Sequence, residues 1–131
     1  MKEFWALVLL VIVSILWGVT NPLLKRASVG IENVKADNLF YQTVAEVTYL
    51  ASKFSYVAPF LLNQIGGVLF VYSLGLSDLS LAVPFTNSLT FIITTLTGHL
   101  LGEEKISSSV WIGAALVCAG ISLCIADKAL P

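Results

Sequence analysis

FWALVLLVIVSILWGVTNPLL, residues 4–24, runs for 21 positions without a charged side chain, and that decides the class of fold. A helix rises about 1.5 Å per residue, so about 20 residues cross the roughly 30 Å hydrocarbon core of a bilayer. Three more uncharged runs follow, Phe54 to Ser77, Leu79 to Gly102 and Ile106 to Ala126, and none is shorter than the first. The chain therefore reads as an all-α integral membrane protein, one membrane domain over residues 1–131 with four transmembrane helices.

Composition supports this reading. Hydrophobic residues are 57% of the chain and charged residues 11%, against about 25% charged in an ordinary soluble domain. A soluble fold of this length has too much surface for its volume to hide so much apolar area. The net charge of −1 offers no basic stripe, so nucleic acid is not an expected partner. Met1-Lys2 followed by an apolar run has the look of a signal peptide, but the run is longer than a signal core and no A-x-A site follows it, so it is expected to be retained. Cys118 and Cys124 both fall in the last run, on different sides of a helix, and read as packing residues.

The first span is expected over about Phe4–Thr20, ending near Asn21-Pro22, where proline removes a donor and restricts its predecessor. Lys25 to Lys53 holds seven of the fifteen Asp, Glu, Lys and Arg residues. Inside it, Phe40, Val44, Val47, Ala51 and Phe54 recur at helical spacing while Asp37, Gln42, Glu46 and Lys53 project elsewhere. This predicts an extra amphipathic helix between the first two spans, about Asp37–Ser55, too polar to cross and lying in the membrane interface or docked on the bundle. The second span is expected over Val57–Gly75, with Pro59 in its first turn. The short link Leu76-Ser77-Asp78-Leu79 implies a tight antiparallel hairpin with the third, about Ser80–Leu101, which carries Pro84. Gly102-Glu103-Glu104-Lys105 then returns the chain to water, and the fourth span, about Ser108–Ala126, is capped by Ser107, Ser108 or Ser109. Lys25, Arg26, Lys35, Lys53 and Lys105 fall on one side against Lys2 and Lys128 on the other, which puts both termini on the non-cytoplasmic side.

Polar groups at membrane depth are Asn63 and Gln64 in the second span and Thr86, Asn87, Ser88, Thr90, Thr94 and Thr95 in the third. None ionises. They read either as interhelical packing bonds or as a polar cavity between the second and third spans. His99, the one histidine, sits near water. With no nucleophile–base pattern, no metal-ligand cluster and no phosphate loop, neither an enzyme nor a cofactor or metal is expected. Small residues carry more information: Gly98 and Gly102 form GxxxG, Gly113 and Gly120 are seven apart, and Ala115 and Ala119 are four apart. Such positions let backbones approach, within the four helices or at a seam with a partner.

The string Gly113-Ala-Ala-Leu116-Val117-Cys118-Ala119-Gly120-Ile121 resembles the last helix of the small multidrug resistance transporters, four-helix members of the drug/metabolite transporter superfamily. That resemblance implies a four-helix bundle of their kind, a helix-packing or dimer seam at Gly113, Leu116, Val117, Gly120 and Ile121, and a substrate-facing aromatic at Phe85. Gly102-Glu103 is similar to their turn after the third helix. Counting back from Lys25, however, their essential membrane-embedded glutamate is replaced here by Trp17. Their glycine kink becomes Asn87-Ser88-Leu89, and the amphipathic insertion is foreign to them. A closer resemblance is to the eukaryotic transmembrane protein 234 family. It rests on Leu16-Trp17-Gly18, Pro22-Leu-Leu-Lys-Arg-Ala27-Ser28, Pro59-Phe-Leu-Leu-Asn-Gln64, Leu81-Ala-Val-Pro84, Asn87-Ser88-Leu89 and Gly120-Ile-Ser-Leu-Cys124. It implies a eukaryotic membrane address, endoplasmic reticulum or plasma membrane.

Proton-driven exchange needs a group that changes charge at membrane depth, and these spans hold none. The expected function is therefore a non-catalytic membrane subunit that docks through its helices onto a larger complex handling lipid or other hydrophobic cargo. Its partners would be membrane lipids and either another integral membrane protein or a second copy of itself. The alternative is an uncoupled facilitator of a neutral or lipid-like solute, working as a dimer, with Asn63, Gln64, Phe85, Thr86, Asn87 and Thr90 as its polar track.

Overall fold

In hydrocarbon a backbone must satisfy its own hydrogen bonds, and a long apolar run does so by being helical throughout. The computed structural model describes residues 1–102 and 107–129. Its regular elements are α1 (Lys2–Ala27), a 3-10 turn at Ile31–Asn33, α2 (Leu39–Ala51), α3 (Phe54–Leu74), α4 (Leu79–Leu100) and α5 (Ser108–Ala129). α1, α3, α4 and α5 are each long and apolar enough to cross a membrane. The protein is an all-helical, multi-pass membrane protein with four spans. Glu103, Glu104 and Lys105, expected to return the chain to water, lie outside the described residues.

α1 is the centre of the fold. It packs along α3 on one side and α4 on the other, and, among the described residues, α5 packs substantially only on α4. Its buried positions, Ala6, Leu10, Val13, Ser14, Gly18, Thr20, Pro22 and Ala27, are mostly small. Trp5, Leu7, Ile12 and Ile15, by contrast, face outward. Two glycines explain why α1 holds two neighbours. A Cβ on Gly18 would lie 2.5 Å from Ile93 of α4, and a Cβ on Gly66 of α3 would lie 2.8 Å from the Trp17 indole nitrogen. In lipid, close approach of backbones replaces hydrophobic burial as the source of helix association.

This arrangement corrects three expectations. α1 does not stop at Asn21-Pro22 but runs to Ala27, with Pro22 buried inside it. Proline forfeits one backbone bond, whereas unwinding here would open several backbone groups to hydrocarbon, so the helix continues. The tight hairpin is not formed either, since α3 and α4 touch little and α1 lies against both. Their link, Gly75 to Asp78, extends up to about 14 Å, enough to let the two splay.

The third correction concerns α2, which is shorter than expected. The Asn38 side chain caps it by accepting from the Tyr41 N–H at 2.9 Å, and it ends at Ala51, so Phe54 opens α3 instead. Lys53 breaks the helix with extended backbone. Its ammonium donates to the Ala27 carbonyl at 3.1 Å and the Val29 carbonyl at 3.4 Å, and sits 4.6 Å from the Tyr49 ring centre. A cation at these carbonyls complements the negative end of α1. Gly30, at φ 97°, turns the chain back beneath Tyr49. On α5, Ser107 is the serine that caps, its hydroxyl oxygen accepting from the Val110 N–H at 3.4 Å.

Candidate functional site

Trp17 stands where the resemblance to the multidrug transporters would put a glutamate, and its surroundings fit a donor. The indole Nε1–H donates to the Asn63 carbonyl of α3 at 3.1 Å, over the gap left by Gly66. The ring also packs against Phe70 at 5.3 Å between centroids. Beside it, Asn63 Nδ2 donates to Thr20 Oγ1 at 2.9 Å and to Asn21 Oδ1 at 3.3 Å, while the Thr20 hydroxyl donates to the Leu16 carbonyl at 2.6 Å. Every member of this cluster is neutral. An indole has a donor and no proton to exchange near neutral pH, so the cluster clasps α1 to α3 without carrying charge.

Trp17→Phe keeps the ring but deletes the bond to Asn63. It should lower stability by about 1 kcal/mol, the usual worth of an interhelical bond in lipid. Unfolding the purified protein by denaturing detergent measures this, and an unchanged midpoint would remove the clasp from the account.

On the opposite side of α1, the Ser14 hydroxyl donates to the Leu10 carbonyl at 2.7 Å and reaches the Thr86 carbonyl at 3.3 Å. Thr86, Thr90 and Thr94 follow on α4 at i, i+4, i+8. Their buried hydroxyl oxygens make no hydrogen bond, and successive ones stand about 6 Å apart along the helix. Thr95, one residue round, donates instead to its own helix at the Phe91 carbonyl. An unpartnered buried hydroxyl costs about 1–3 kcal/mol, so three in line mark a polar strip along α4.

The expected polar track is thus divided. Asn63 serves the α1–α3 clasp, Thr86 and Thr90 belong to the strip on α4, Gln64 and Asn87 are exposed, and Phe85 is half-buried. With α1 packed against both helices, the structure does not bring the polar residues of α3 and α4 together. At the end of the molecule nearest the α3–α4 link lies an open cleft of about 600 Å³. Glu3, Ser77 and Asp78 line it, with Leu7, Leu10 and Ala82. Among the described residues, no group of acidic, histidine or cysteine side chains is placed to hold a metal.

The small residues separate into two kinds. Gly18 and Gly66 are in use, each with a neighbour where its Cβ would be, whereas Gly98, Gly102, Gly113 and Gly120 have none there among the described residues. On α5, Gly113, Val117 and Ile121 are half-buried, while Leu116 and Gly120 are exposed. Ser14, Gly18, Thr20, Asn21 and Gly66 are the residues that sequence reasoning missed. A signal existed: Ser14-x-x-x-Gly18 is a small-xxx-small pair like Gly98-x-x-x-Gly102.

The family model described as "Putative transmembrane family 234" matches residues 10–125. The chain is similar to a transmembrane protein 234 homolog of Dictyostelium discoideum, 43% identical over 126 residues, 96% of this chain and 98% of that one. It is likewise similar to a transmembrane protein 234 homolog of Anopheles gambiae, 39% identical over 128 residues, 98% of this chain and 91% of the other. No solved structure matches. A family match that runs from the middle of α1 to the last turns of α5, with relatives alike over nearly their whole length, leads to one conclusion: this chain belongs to the transmembrane protein 234 family.

Proposed function

We propose that the protein is a non-catalytic membrane subunit that docks through α5 onto a larger membrane assembly, one that handles lipid or other hydrophobic cargo. One observation carries this reading. α5 packs substantially only on α4, and neither Gly113 nor Gly120 has a neighbour within reach of a Cβ. Glycine inside a helix costs about 1 kcal/mol relative to alanine. Gly18 and Gly66 offset that cost by admitting a neighbouring helix, and Gly113 and Gly120 have no such return among the described residues. A helix of another integral membrane protein, or of a second copy, supplies it. The excess of basic residues at one side supports an orientation with both termini on the non-cytoplasmic face, of an endomembrane such as the endoplasmic reticulum or of the plasma membrane.

The test is extraction in mild detergent followed by mass measurement. A particle heavier than two copies, with a second polypeptide in fixed ratio, is expected; a homogeneous particle of one or two copies, with no other polypeptide, would end the docking proposal. The strip of Thr86, Thr90 and Thr94 favours a second reading, an uncoupled facilitator of a neutral or lipid-like solute working as a dimer. In vesicles, solute flux lost on Thr90→Val and indifferent to a pH gradient would establish that reading in place of the first. Absence of flux would dismiss it.

A further inference from the structure

An amphipathic helix beside a folded core usually turns its apolar stripe inward. α2 does the reverse. Phe40, Val44 and Val47 lie on one face and are 70%, 47% and 59% exposed. Gln42, Ala45, Glu46 and Tyr49, on the opposite face, are partly covered.

The polar face is held by the chain that leads into it. Gln42 Nε2 donates to the Val34 carbonyl at 2.7 Å and to Glu46 at 2.8 Å, and Gln42 Oε1 accepts from the Ala36 N–H at 2.8 Å. The Tyr49 hydroxyl donates to the Val29 carbonyl at 3.0 Å, above a Gly30 whose φ of 97° and lack of Cβ make room for it. Turning α2 to bury its apolar stripe on the bundle would break the bonds to Val34, Ala36 and Val29. The outward stripe is therefore the built orientation.

The geometry points to α2 as an in-plane anchor whose stripe of Phe40, Val44 and Val47 is covered by the headgroup–acyl boundary of the bilayer. Position argues first. Lys53 ties the start of α3 to the end of α1 through Ala27 and Val29, so two spans meet the membrane boundary at one level. Only Ser52 and Lys53 separate α2 from that level.

Continuity argues second. Phe54, at 83% exposure, carries the stripe onto α3, whose own outward side chains Leu61, Ile65 and Val68 are exposed on a membrane span. Composition argues third. The stripe is aromatic and branched, with Tyr41 on its flank, as at membrane interfaces. It lacks the glycines that mark α5 for contact with another helix. Glu46 is the one charged residue in α2, and it is bonded to Gln42 on the inner face. Apolar area drives this anchoring, and no anionic lipid is needed.

The experiment uses the full chain with Cys118→Ser and Cys124→Ser, reconstituted in phosphatidylcholine vesicles. Single cysteines at Val44→Cys, Val47→Cys and Lys35→Cys carry an environment-sensitive fluorophore. Labels at 44 and 47 should emit to the blue of the label at 35, be quenched several-fold more strongly by lipids spin-labelled near the headgroup, and resist aqueous iodide. Adding phosphatidylserine should leave these ratios unchanged. Iodide quenching at 44 and 47 equal to that at 35 would place the stripe in water and overturn the assignment. Shielding from both quenchers would show protein over it, and would overturn the assignment equally.

Discussion

Gly18→Leu is expected to cost the protein its central packing and to yield little folded material. A Cβ at this position would lie 2.5 Å from both Cβ and Cγ2 of Ile93 and 3.3 Å from the Thr90 carbonyl. The Ile93 Cβ is fixed by the α4 backbone and no flexible side-chain end is there to yield, so α1 and α4 must separate. Ser14 would then lose its reach to the Thr86 carbonyl, which is already 3.3 Å away. Overpacking of a close interface typically costs about 1–3 kcal/mol, and the rigidity of this contact puts the effect at the upper end. Gly67→Leu is the control, because a Cβ there meets nothing within 4 Å, and it should shift stability by less than about 1 kcal/mol, as substitutions away from packed contacts do. Denaturing-detergent titration of the two variants side by side is the measurement. Equal midpoints would mean that α1 and α4 do not meet as described.

Gly120→Leu is expected to do the opposite, leaving the isolated chain as stable as before and weakening its assembly. Gly120 is exposed, and among the described residues nothing lies within 4 Å of its Cβ position, so a side chain there starts into open space. Against another helix it would hold the backbones apart and forfeit the contacts that glycine allows. A loss of at least about tenfold in association, or about 1.4 kcal/mol, is expected. Quantitative co-purification, or energy transfer between labelled copies in vesicles, reads it directly. Association unchanged by both Gly120→Leu and Gly113→Leu would take α5 out of the docking surface. The Gly18 and Gly120 variants together separate a glycine that builds the fold from one that serves what lies outside it.

Much of this is legible in the sequence. The four spans follow from uncharged runs because a charge in hydrocarbon costs several kcal/mol, a penalty written residue by residue. The amphipathic stripe of α2 follows from its period. The neutrality of the site was legible too, since no Asp, Glu, Lys or Arg lies inside the runs that became the membrane-spanning parts of α1, α3 and α4, and His99 falls in the last turn of α4. The end of α1 was not legible. At Pro22 the local rule predicts a stop, and the packing that overrides it comes from residues distant in sequence. The division of the polar track was not legible for a related reason: Asn63 and Thr86 have similar hydrogen-bonding chemistry, and nothing local says that each faces α1.

By itself, then, the sequence determined that this is a four-span helical membrane protein with an amphipathic segment and no ionisable group at the depth of Trp17. Those properties are sums over single residues and their spacing. Tertiary structure alone decided that α1 stands against both α3 and α4, that Ser14 and Gly18 meet a neighbour while Gly98 and Gly102 meet none among the described residues, and that α2 turns its apolar side outward. Small-xxx-small pairs read identically along a chain, and an amphipathic period has no sense of direction. Which surface each one meets is settled by the interlocking of side chains between helices far apart in sequence.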